Sequence, residues 1–153
     1  MSLKQRLAFV FATGFGSGYS PFAPGTAGTA VGLLFVWPMA SMGLGAQVGF
    51  TLIVTALSMI AADIVAKSVG LKDPGIVVAD EIAGMMVTMI GIPITLQSVL
   101  IGFVLFRIMD VVKPPPARQF EKFKGGVGIV ADDLMAAVYA NLALRGILMV
   151  MGR

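Results

Sequence analysis

A chain of 153 residues that is 58% hydrophobic and 12% charged departs from an ordinary soluble domain, in which about a quarter of residues carry charge. With 8 acidic and 11 basic side chains and a mean hydropathy of +0.94, it cannot furnish a polar skin and reads as one integral membrane domain over residues 1–153. The absence of Cys and His excludes disulfides, thiolate nucleophiles, Ser-His-Asp triads, phosphohistidine and soft-metal centres, leaving carboxylates, hydroxyls, Lys and Arg for chemistry. Any metal would be a hard one held by oxygen. The net charge of +3 is not organised as a basic and aromatic stripe, so nucleic acid is not an expected partner and anionic membrane lipid is.

In chain order, the apolar stretch at residues 9–11 runs into Thr13-Gly14-Phe15-Gly16-Ser17-Gly18 and does not read as a removable signal peptide. A charge-free run over residues 27–62 is long enough for two spans of about 20 residues. Its small, glycine-rich middle, Ser41 to Gln47, predicts a hairpin of helices at about 29–42 and 46–62. The run over residues 82–106 reads either as one tilted span or as two short helices meeting at Gly91-Ile92-Pro93. The hairpin alternative puts Lys4, Arg6, Lys67, Lys72, Arg107, Lys113, Arg118, Lys122 and Lys124 on one face, leaving Arg145 and Arg153 on the other. That asymmetry favours the hairpin with a cytoplasmic charged face. A last helix is expected from Asp132 or Asp133 to about Met149. The expected fold is therefore all-α, an integral membrane domain of about five hydrophobic helices with its motif loops on one face.

Four motifs could carry chemistry. The stretch GFGSGYSPFAPGTAGT, residues 14–29, could cradle a phosphate on backbone N–H groups and a helix N-terminus, although close helix packing explains its small residues equally well. Asp80 and Glu81 precede an apolar helix, where capping is the plain alternative. Arg107 and Asp110 share a helix face that Lys113 continues, as a salt bridge would also require. A glycine loop, Gly125-Gly126-Val127-Gly128, leads to Asp132 and Asp133, which again could be caps. Taken together, five of eight acidic residues gather at helix ends on one face. Like charges so placed need cations, and Mg²⁺ would bind a phosphate and promote its hydrolysis. Asp63 with Lys67 reads as a helix-surface pair, and Lys72 with Asp73 as loop residues beside Pro74-Gly75.

These motifs, with ADEIAGM (79–85), FRIMDVVKPPPAR (106–118) and GGVGIVADD (125–133), closely resemble the phosphatidylglycerophosphatase A family from about residue 12 to residue 137. The resemblance implies a bacterial inner-membrane lipid phosphatase that uses Mg²⁺ to convert phosphatidylglycerophosphate to phosphatidylglycerol and inorganic phosphate in phospholipid biosynthesis. It places Asp80, Glu81, Asp110, Asp132 and Asp133 on the catalytic and metal-binding carboxylates. Gly16, Ser17, Gly25, Thr26, Arg107, Lys113 and Arg118 fall on phosphate-binding positions. Ala79 stands where the family often carries Trp, Pro115 where it carries an aromatic residue, and Glu121 where it carries Asp.

The expectation is a phosphomonoester hydrolase with its active site on the cytoplasmic face. Attack by water is favoured over a carboxylate nucleophile, because the Asp-x-Asp signature of aspartyl-phosphate phosphatases is absent. The small-residue faces are compatible with a homodimer. Rival readings are a cation transporter, a non-catalytic membrane scaffold and a lipid phosphotransferase.

Overall fold

The computed structural model describes residues 1–152, so Arg153 lies outside the described residues. Those residues contain no strand, as an all-α chain requires. Seven helices form where about five hydrophobic ones are expected. The additions are α1 (Leu3–Ala12) and the single turn α6 (Ala117–Phe120). Helix α1 opens on a capping box in which Ser2 and Gln5 satisfy each other's backbone N–H. It then buries Ala8 and Ala12 against Ala61, Ala62 and Val65.

Helix α2 (Pro24–Met39) starts on proline, five residues earlier than expected, so the second half of the glycine motif is helix rather than loop. Helix α3 (Leu44–Val69) continues past Ala62 because Asp63 and Lys67 pair at 2.6 Å along its surface. Gly70 then ends it in a left-handed turn. The 82–106 run divides into α4 (Ala79–Met89) and α5 (Leu96–Val112), joined through Gly91 and Pro93. That is the hairpin alternative, and Arg107 comes within 3.8 Å of Glu81 across it.

The last helix, α7 (Gly126–Val150), begins six residues before Asp132, so the expected glycine loop is largely helical. The backbone carbonyl of Met59 occupies the space that a Cβ on Gly126 would need. Close approach of α3 thus overrides the low helix propensity of glycine.

Helices α3 and α7 are long and apolar enough to cross a membrane, at about 39 and 38 Å against a hydrocarbon core of about 30 Å. Only 39% of the apolar stretch of α3 and 50% of that of α7 are buried. Leu52, Ile53, Leu57 and Ile60 are exposed along α3, which suits lipid better than water.

Helix α4 is the hub. It packs against α2, α3, α5 and α7 and buries Ile82, Met85, Met86 and Met89 completely. At about 16 Å it is too short to cross a bilayer, so its C-terminal carbonyls end among apolar neighbours and need donors. Asn141 of α7 donates to the carbonyls of Thr88 and Ile90 at 2.8 and 3.0 Å. Arg145 donates to Ile90 and to Asn141 Oδ1, each at 2.9 Å. Gln47 of α3 accepts from Gly91 N–H at 2.9 Å and donates to the Met39 carbonyl at 3.0 Å, tying the end of α2 to the same turn. Asn141→Leu removes the side-chain donor to the Thr88 carbonyl and leaves Ile90 with Arg145 alone, so it should cost about 1–2 kcal/mol and lower the melting temperature in detergent by several degrees. An unchanged melting temperature would contradict this role.

Candidate metal and phosphate site

The opposite end of α4 carries charge. Asp80 and Glu81 lie in its first turn, and the preceding Ala79 carbonyl accepts from Ser58 Oγ of α3 at 3.0 Å. Asp133, in the second turn of α7, completes a cluster in which carboxylate oxygens of Asp80, Glu81 and Asp133 all lie within 4.8 Å of one another. Asp110 on the last turn of α5 adds its charge close to Asp133 and pairs with Arg107 Nη1 at 2.5 Å.

Asp132 stands outside this trio and pairs with a cation. Its Oδ2 receives Lys113 Nζ, which also lies 3.3 Å from Glu121 Oε1 and 3.7 Å from Asp133 Oδ1. Lys113 reaches back because it ends α5 at a φ of 45°, ahead of three prolines that cannot continue the helix. Five carboxylates and two cations from α4, α5 and α7 thus form one buried polar cluster.

The electrostatics are unfavourable to the bare anions. At the head of α4, outside the two long helices, burial and then repulsion from Glu81 and Asp133 push the Asp80 carboxyl well above the usual carboxylate range. Burial raises Glu81 as well, while the charge of Arg107 opposes the rise. Burial alone would lower the Lys113 ammonium, yet Asp132, Asp133 and Asp110 hold it above its ordinary value. Asp80 Oδ1, Glu81 Oε2 and Asp132 Oδ1 are buried without a hydrogen-bond partner. An all-oxygen donor set with unsatisfied buried oxygens fits a hard divalent cation. Asp80, Glu81 and Asp133 could hold it.

The phosphate-binding candidates divide. A Cβ on Gly25, in the first turn of α2, would meet the Glu81 carboxylate and the Arg107 guanidinium, so this glycine lets the helix N-terminus approach the cluster. Thr26 lines a groove with Arg107. Gly16 and Ser17 hydrogen-bond to Thr13 within their own loop, and Arg118 donates to the Val112 carbonyl at 3.2 Å. Among the described residues none of these three hydrogen-bonds to, or pairs with, the carboxylates. Lys72 and Asp73, read from sequence as plain loop residues, line a cleft of about 170 Å³ with Glu121 and Asp132. Lys72 donates to the Glu121 carbonyl at 2.9 Å. Pro74-Gly75 marks a turn here, but no local signal points the loop toward the cluster.

Comparison with known proteins assigns the arrangement to a family. The profile of the family described as Phosphatidylglycerophosphatase A matches residues 10–148. A protein of Bacteroides thetaiotaomicron named Putative phosphatidylinositol-3-phosphatase is 37% identical, covering 94% of this chain and 95% of its own length. Phosphatidylglycerophosphatase A of Escherichia coli K12 is 37% identical over 84% of this chain and 76% of its own length. The Haemophilus influenzae protein of the same name is 36% identical over 90% and 86%. No solved structure matches the chain. The chain belongs to the phosphatidylglycerophosphatase A family and is a phosphatase.

Proposed function

We propose that this phosphatase hydrolyses phosphatidylglycerophosphate to phosphatidylglycerol and inorganic phosphate, with Mg²⁺ held by Asp80, Glu81 and Asp133, at the cytoplasmic face of a bacterial inner membrane. The observation that carries the reading is the convergence of those three carboxylates within 4.8 Å beside the Arg107 guanidinium. Its biosynthetic setting, phospholipid assembly, follows from the substrate. The positive-inside count supports the orientation, since the hairpin reading of the sequence assigns nine of the eleven Lys and Arg residues to the side of the carboxylates.

In this reading Arg107 binds the terminal phosphate and offsets the charge that develops on it, held in place by Asp110 and Glu81. The N-terminus of α2 at Gly25 adds backbone N–H donors on the same side. Bound Mg²⁺ supplies Lewis-acid neutralisation of the phosphoryl oxygens. Asp132 keeps Oδ1 free while Oδ2 holds Lys113, so it takes a proton from the attacking water. Lys113, poised between Asp132, Asp133 and Glu121, keeps that region charge-balanced. The water oxygen bonds to phosphorus as the phosphorus–oxygen bond to glycerol breaks, and the proton taken up by Asp132 passes to the departing glycerol oxygen, which leaves as the alcohol.

Purified protein in detergent micelles of phosphatidylglycerophosphate should release inorganic phosphate with Mg²⁺ and stop with excess chelator. Asp132→Asn should lower turnover by at least about a hundredfold, the scale of a lost acid–base group, while the protein stays folded. Release without an alcohol acceptor separates hydrolysis from phosphotransfer. Phosphatidylinositol 3-phosphate, the class of substrate named for the Bacteroides relative, is the competing head group, and faster release from it would move the specificity there. Gly25→Ala, which drives a methyl group against Glu81 and Arg107, should reduce turnover about tenfold or more. Full activity in that variant would remove the N-terminus of α2 from the site.

A further inference from the structure

Helices α2 and α5 diverge around a groove of about 470 Å³. One wall is an apolar stripe of α5, where Leu100, Val104, Ile108 and Val111 are all exposed at helical spacing. The other wall carries Thr26 in the first turn of α2, and the groove closes on Arg107. Arg107 is also the residue that touches Glu81 and Asp110, so a single guanidinium separates an apolar surface channel from the carboxylate cluster.

Charge and shape together select the occupant. The lining holds one cation and no acidic residue, with the remainder apolar apart from Thr26. A molecule that satisfies both parts has an anionic phosphate at one end and a hydrocarbon chain at the other. The cleft beside Asp132 is smaller, about 170 Å³, and lined by Lys72, Asp73 and Glu121, which suits water and phosphate rather than a chain. A larger apolar groove between α1 and α3, about 610 Å³, also offers one cation, Lys4, and no acidic residue, but among the described residues Lys4 pairs with no carboxylate, whereas Arg107 touches Glu81 and Asp110.

We propose that an acyl chain of the substrate lies in the groove between α2 and α5, so that the lipid phosphate reaches the carboxylate cluster sideways from the bilayer, past Arg107. This rests on the lipid-phosphatase reading above and adds where the lipid sits. Val104 and Ile108 contact the chain near the head group, and Leu100 contacts it deeper in the bilayer. The acyl chain thereby aligns the phosphate with Arg107 before the cluster acts on it, which converts apolar binding into positioning.

The test separates binding from turnover. The full chain in lipid nanodiscs is photolysed with phosphatidylglycerophosphate bearing a diazirine in one acyl chain, in the presence of chelator so that nothing is hydrolysed. Label should concentrate on Phe103, Val104 and Ile108 and be displaced by unlabelled phosphatidylglycerophosphate. Equal labelling of Leu52 and Ile53 on the exposed face of α3, or preferential labelling of the α1 groove, would overturn the proposal. A second measurement compares kcat/KM for the long-chain substrate with that for its deacylated, water-soluble counterpart. Val104→Trp should lower this ratio about tenfold or more, and Leu52→Trp should not change it. An unchanged ratio in Val104→Trp would also overturn the proposal. Wild-type protein that hydrolyses neither substrate would instead overturn the phosphatase reading, with the label still deciding the groove.

Discussion

Asp80, Glu81 and Asp133 repel one another inside a protein that screens them poorly, and the rest of the architecture answers that repulsion. Two adjacent carboxylates on α4 meet one from α7 within 4.8 Å, with Asp110 and Asp132 close behind. Such a cluster is unfavourable without compensating positive charge. Arg107 and Lys113 supply part of it, and both are held by position rather than by chance. Arg107 sits one turn before the end of α5, while Lys113 is turned back toward α7 by a left-handed residue ahead of three prolines. Buried oxygens left without partners mark the remaining deficit, which a hard cation fits.

The shortness of α4 follows from the same requirement. Its N-terminus must present Asp80 and Glu81 to α7 and α5, so the hairpin with α5 returns Arg107 to their level. The other end of α4 therefore stops inside the bundle, where Asn141, Arg145 and Gln47 take over its terminal carbonyls and the Gly91 N–H. Polar side chains at both ends of one buried helix thus have opposite duties. At one end they create an electrostatic demand, and at the other they remove a hydrogen-bonding one.

Much of the site was legible because charge is scarce in this chain. Adjacent Asp80-Glu81 and Asp132-Asp133 stand out against long apolar runs, and the three-residue spacing of Arg107 and Asp110 announces a shared helix face. The α4–α5 break was written in Gly91 and Pro93. Other features had no local signature. Gly126 looks like a loop residue until the Met59 carbonyl is seen in the space a side chain would fill. Lys72 and Asp73 reach Asp132 only through the path of a loop. Arg145 read as a bare charge on the far face, whereas its duty to Ile90 depends on where a different helix ends. Periodicity and composition report one element at a time, and these three are properties of pairs of elements.

The carboxylate cluster is proposed to be a divalent-cation site. Titration of the purified chain with Mn²⁺, followed by electron paramagnetic resonance, tests it without reference to turnover, because Mn²⁺ accepts the same oxygen ligands as Mg²⁺. Wild-type protein should bind the ion and release it to competing Mg²⁺, and Asp80→Asn and Asp133→Asn should each weaken binding at least about tenfold. Binding of Mn²⁺ by both variants with wild-type affinity, or no binding by the wild-type chain, would contradict it.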